Sequence, residues 1–82
     1  MEIKNILLVG CGEIGSRHLQ ALAKMEIPIK IWAIDPSSIS LKTAKVRFEE
    51  IPINKNIQSI KFASEIPENL DHIDLCIIST TS

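Results

Sequence analysis

The apolar positions of the chain fall into short unbroken runs, separated by stretches with a helical repeat. Ile3 to Val9 contains "ILLV", which predicts a strand buried on both faces of a parallel sheet. Glycines end that run. From Glu13 the period changes. Ile14, His18, Ala21, Leu22 and Met25 recur at helical spacing, which predicts a helix with these residues facing inward and Ser16 and Arg17 on its outer side. Pro28 blocks its extension. "IKIWAID", Ile29 to Asp35, predicts a second strand with Trp32 in the core, and the Asp-Pro-Ser-Ser that follows is a turn sequence. Ser38 or Ser40 is placed to cap a second helix, with Leu41, Ala44, Phe48 and Ile51 buried and Lys42, Lys45, Arg47, Glu49 and Glu50 mostly outside. Pro52 stops it. "INKNIQ" reads as a loop and "SIKFA" as a short third strand with Ile60 and Phe62 on one face. "SEIPENLDH" is predicted to hold one helical turn begun at Ser64, and "IDLCIIST" is a fourth strand, apolar throughout.

This alternation of strands and helices builds a parallel sheet with helices on its faces. Right-handed crossovers favour the spatial order 3-2-1-4. The expected architecture is α/β, a three-layer Rossmann-like fold, truncated relative to a full dinucleotide-binding domain. It is expected to be a single domain over residues 1–82. A chain of this size buries only roughly 60–65% of its unfolded surface, so its stability margin is thin. With no fifth strand, the fourth becomes an exposed apolar edge, a place for a second copy to pair.

Composition then narrows the function. The formal net charge is −1 and no basic block occurs, which argues against nucleic acid as a partner. No apolar run is long enough to cross a bilayer, and "MEIKN" does not read as a signal peptide, so no membrane association is expected. The two cysteines, Cys11 and Cys76, are too few and too far apart for a disulfide scaffold, and no metal-ligand cluster occurs. A cytoplasmic location is expected. If Gly10 aligns near Ser79 on neighbouring strands, Cys76 lies opposite Leu7, well away from Cys11, so both thiols should be free. Both read as small apolar fillers.

The three glycines of the chain, Gly10, Gly12 and Gly15, form G-x-G-x-x-G between a predicted strand and a predicted helix. Gly10 permits the tight turn. Gly12 lets a pyrophosphate approach the backbone, and Gly15 lets the helix pack closely on the strand. The first helical turn, with Glu13 and Ile14, presents unpaired N–H groups and the positive end of a dipole, which suit an anion. Asp35 follows Gly15 by 20 residues at the end of the second strand, where a carboxylate meets the ribose hydroxyls of adenosine. It would repel a 2′-phosphate, and "PSSIS" has no Arg to neutralise one, so NAD is favoured over NADP. Ser79 and Thr80 end the fourth strand at the crevice edge, where Thr80 or Thr81 is placed to reach the nicotinamide half. The candidate cofactor contacts are therefore Gly10, Gly12, Glu13, Ile14, Gly15, Asp35, Ser79 and Thr80. Glu13 and Arg17 read as solvated side chains and His18 as a packed histidine.

"VGCGEIGSRHLQAL", "WAIDPS" and "LCIISTTS" together resemble the N-terminal domain of the glucose–fructose oxidoreductase, inositol dehydrogenase and MocA family. Thr80 matches the Thr of that family's Thr-Pro sequence, and Thr81 stands where its Pro would be. The resemblance implies an NAD(P)-binding Rossmann part of an oxidoreductase, with Gly10, Gly12 and Gly15 at the diphosphate, Asp35 at the adenine ribose and Thr80 toward the nicotinamide. It implies hydride transfer between the nicotinamide and a sugar, cyclitol or related polyol. The family's catalytic lysine follows a fifth strand, so no catalytic residue carries over, and these residues contribute binding rather than turnover. Another class, a non-catalytic NAD(H)-sensing regulatory module, would share the same turn and Asp35. A Rossmann-like methyltransferase fits less well, because such sites usually lack the third glycine.

Overall fold

A computed structural model of the chain describes residues 2–70 and 72–79. Its elements are β1 (Lys4–Val9), α1 (Glu13–Leu22), β2 (Ile29–Ile34), α2 (Ser38–Glu49), β3 (Ile57–Ala63) and β4 (Leu75–Ile78). All strand pairs are parallel, in the order β3-β2-β1-β4. This is the α/β arrangement expected from the sequence. β3 begins earlier than expected, inside the "INKNIQ" stretch, and a register shift between Ile29 and Lys30 accommodates it. β4 covers only the apolar run LCII of the longer strand expected over "IDLCIIST".

The pleat divides the sheet's side chains into two sets. Ile6 and Leu8 of β1 and Ile29, Ile31 and Ala33 of β2 share one face with Leu19 and Leu22 of α1 and Ala44 of α2. Leu41, Phe48, Ile60, Phe62 and Ile77 close around this cluster. Both helices therefore lie on one face. Full burial of each Leu or Ile contributes roughly 1.5–3 kcal/mol, so these few residues supply much of the fold's stability. The β3–β4 connection must cross β2 and β1 on the other face, as a right-handed crossover requires. Among its described residues it does so without a helix, with bends at Ser64 and Glu65 and a turn at Glu68 and Asn69 in place of the helical turn expected from Ser64. Leu7 and Ile34 are buried on that face, whereas Trp32 is only half-buried there rather than in the core.

The inner face of α1 also differs from the hydrophobic reading. Gly15, Ser16, Leu19 and Leu22 are its buried residues. Ile14, His18 and Ala21 are exposed, so His18 is not a packed histidine. Ser16 is fully buried rather than outward. Its Oγ donates to the Glu13 carbonyl at 3.0 Å and accepts from Arg47 Nη1 of α2 at 2.7 Å. Gln20 Nε2 donates to the Arg47 carbonyl at 3.0 Å, so polar bonds join the two helices along their shared flank.

Asn54 ties the loop before β3 to the end of α1, its Nδ2 donating to the carbonyls of Ala23 and Met25 at 3.0 and 2.8 Å. A second clasp fixes the start of β4 to β1. Asn5 N–H donates to Asp74 Oδ2 at 2.7 Å, Asp74 N–H donates to the Asn5 carbonyl at 2.9 Å, and Asn5 Nδ2 donates to the His72 carbonyl at 2.9 Å. His72 Nε2 lies 2.8 Å from Asp74 Oδ1. The Asn5 amide, and after it the His72 side chain, hold the Asp74 carboxyl below the usual Asp range.

A folded-state pKa below the unfolded one means that ionised Asp74 favours the fold. Its contribution is complete above the unfolded value of about 4 and is lost as pH falls through the lower folded value. Asp74→Asn is therefore expected to destabilise the chain at pH 7, with a difference from wild type that shrinks toward pH 2. Urea midpoints across that range check this.

Candidate functional site

The site grows out of the bend between β1 and α1. Gly10 closes β1 with φ +100°, a left-handed conformation that favours glycine, and its N–H donates to the Ile34 carbonyl of β2 at 2.7 Å. Gly15 lies against Gly10. A Cβ on Gly15 would stand 1.9 Å from the Gly10 carbonyl oxygen and 2.7 Å from its carbon, an impossible contact with backbone. These two glycines are required by the chain's own packing.

Gly12 is different. Its φ is −67°, open to any residue, and a Cβ there would meet nothing within 4 Å. It is the N-cap of α1 and offers no side-chain cap. The Ser16 N–H bonds back to the Gly12 carbonyl at 2.8 Å, leaving the first amides of the helix without intrahelical partners. The bend thus presents bare N–H groups beside open space, at the positive end of a helix dipole.

Asp35 belongs to the same cluster. Its Oδ2 accepts from the Cys11 N–H, between the first two glycines, at 2.7 Å, and its Oδ1 accepts from the Ser37 N–H at 2.8 Å. Ser37 in turn caps α2, its side chain accepting from the Ser40 N–H at 3.2 Å, so the cap is Ser37 rather than Ser38 or Ser40. A carboxylate accepts about four hydrogen bonds, so each oxygen of Asp35 keeps capacity for a hydroxyl donor. The carboxylate is half-buried and fixed in direction by two backbone amides.

Glu13 is exposed at the first position of α1, where its charge complements the dipole. Ile14 is exposed beside it, an apolar residue next to the bend rather than in the core. Arg17 is exposed, as expected. Ser79 follows β4, with its N–H donating to the Val9 carbonyl at 2.7 Å. It is only 8% exposed, its hydroxyl has no partner among the described residues, and its Cβ lies 3.7 Å from where a Gly15 Cβ would be. Thr80 and Thr81 lie outside the described residues. Of the eight expected contacts, the structure therefore brings Gly10, Gly12, Glu13, Ile14, Gly15, Asp35 and Ser79 to one end of the sheet. The Cys11 amide, which aims Asp35, was not anticipated, because a backbone donor leaves no mark in sequence.

The thiols are free, and Leu7 stands opposite Cys76 as expected. Cys11 is a buried filler against the Ile34 carbonyl, and burial, then the charge of Asp35, pushes its thiol up to about 11. Cys76 is exposed and is no filler. A separate apolar groove of about 440 Å³ lies at the opposite end of the sheet, among Ala23, Phe48, Ile51, Asn54, Ile57 and Ile60. It shares no residue with the glycine bend, and its Asn54 amide is already spent on backbone carbonyls. Among the described residues no group of His, Cys, Asp or Glu could hold a metal ion, and no helix is long and apolar enough to cross a membrane. No family model matches the chain, and no curated protein or solved structure matches it.

Two outcomes follow from this geometry. Gly15→Ala should cost about 3 kcal/mol or more of stability by forcing α1 off β1, whereas Gly12→Ala should cost about 1 kcal/mol or less. Chemical denaturation distinguishes them. A thiol reagent at pH 8 should label Cys76 in the native chain and reach Cys11 only on unfolding.

Proposed function

We propose that this chain is the NAD-binding portion of an oxidoreductase that transfers hydride between a nicotinamide and a sugar, cyclitol or related polyol. The observation that carries the reading is the contrast among the glycines. Gly10 and Gly15 are demanded by the fold, but Gly12 is not, and it stands where a dinucleotide's phosphates would approach the bare amides of α1. Support also comes from Asp35, held at the same bend with acceptor capacity to spare. The residues present fit the group. The amides from Gly12 to Gly15 would take the diphosphate, Asp35 the adenine ribose hydroxyls, Ile14 would shield the sugar–phosphate from water, and Ser79 would face the nicotinamide side, where the resemblance alone assigns Thr80.

The nicotinamide supplies the redox chemistry when bound, and the chain's residues orient it. Asp35 disfavours a 2′-phosphate by charge and favours paired hydroxyls by hydrogen bonding. Substrate class rests on the resemblance of the glycine bend, "WAIDPS" and the β4 end to the sugar and cyclitol oxidoreductases. The catalytic groups of such an enzyme are not among these residues.

Calorimetric titration tests the reading. NADH should bind more tightly than NADPH. Asp35→Ala should erase that preference, and Gly12→Ala should lower NADH affinity by at least about tenfold while leaving the fold intact. Equal affinity for the two nucleotides, unaffected by either substitution, would overturn it.

A further inference from the structure

Helix α2 carries apolar residues on two sides. Leu41, Ala44 and Phe48 face the sheet. On the far side Ile39 and Val46, seven residues apart and therefore on one stripe, are 77% and 59% exposed. Just past the helix end, Ile53 is completely exposed. Single exposed apolar residues are ordinary, but an aligned set marks a contact surface.

The charges beside the stripe are ordered along the helix. Lys42 and Lys45 precede Val46, and Glu49 and Glu50 follow it. Carboxylates at a helix C-terminus oppose the dipole, and the first turn holds no acidic residue to balance it. The one basic residue of the last turn, Arg47, donates to Ser16 of α1 instead. The ion pairs among the described residues, Lys4–Glu2 and His72–Asp74, do not involve Lys42 or Glu49.

We propose that this face of α2 docks a second copy of the chain, the two helices antiparallel about a two-fold axis near Val46. Lys42 and Glu49 lie about 5 Å either side of that axis along the helix, so each Lys42 comes level with Glu49 of the other copy. Rotation about the axis keeps both on the same flank, and one contact therefore implies its twin. Ile39 comes level with the segment after the other copy's helix, where Ile53 is exposed. The charges beside the stripe complement themselves across that axis, which singles out a second copy over an unrelated partner. This docking is independent of nucleotide binding and uses a different surface from the β4 edge.

Sedimentation equilibrium of the full chain tests it, with circular dichroism confirming that each variant stays folded. The wild type should self-associate to a dimer, and Val46→Lys should abolish this. Lys42→Glu should weaken the dimer by about tenfold or more, since symmetry counts the change twice, and adding Glu49→Lys should return the affinity to within about threefold. Ile78→Lys, on the exposed β4 edge, should leave the dimer unchanged. A monomer at every concentration, a dimer that survives Val46→Lys, a dimer dissolved by Ile78→Lys, or a double variant as weak as the single one would each overturn the proposal.

Discussion

The contact between the Gly10 carbonyl and the Cα of Gly15 governs the rest of the molecule. It brings a helix backbone against a strand backbone with no room for a side chain between them. That approach fixes the axis of α1 over the sheet and turns Ser16, Leu19 and Leu22 inward. It also leaves the start of the helix, with open space around Gly12, at the C-terminal ends of β1 and β2. The Cys11 amide, between the first two glycines, is thereby aimed at Asp35 of the neighbouring strand. One steric constraint thus brings the uncapped start of a helix and the Asp35 carboxylate to the same bend.

Around this point the fold is held by a small apolar cluster and a few polar ties. The cluster lies on one side of the sheet only. The ties act where it thins out: Asn5 with Asp74 at the start of β4, Asn54 at the end of α1, and Arg47 with Ser16 between the helices. The Asn54 and Arg47 ties satisfy part-buried polar groups that would otherwise be costly to leave unpaired, and the Asn5 tie pins the exposed start of β4. Among the described residues the sheet face opposite the helices carries only an irregular connection, which explains why Trp32 is half-exposed and Cys76 and Ile78 are open to solvent, whereas Leu75, on the helix side, is exposed because β4 is an edge strand.

The strand order and the parallel pairing were legible in the sequence, because unbroken apolar runs alternate with helical repeats and chirality leaves few topologies. Gly10 and Gly15 were legible for the same reason that they are needed: each answers a demand of backbone geometry at a fixed spacing. The inner face of α1 was not legible. Close packing at Gly15 selects the small residues Gly15 and Ser16, whereas hydrophobic periodicity points to the larger Ile14 and to His18. Trp32 was misplaced because an apolar run shows that a strand is buried, but not which face a helix covers. Ser64 resembles a helix start, yet Pro67 and the polar residues around it leave no apolar repeat to stabilise one. The bond from Cys11 to Asp35 was invisible because it comes from the backbone.

The proposed cofactor site depends on the amides of the glycine bend holding phosphate. Amide chemical shifts of the isotope-labelled chain, followed during titration with NADH, test this most directly. The largest changes should fall on Gly12, Glu13, Ile14 and Gly15, with a smaller set at Cys11 and near Asp35. Changes centred instead on the apolar groove around Ala23 and Ile57, or none at saturating nucleotide, would contradict it.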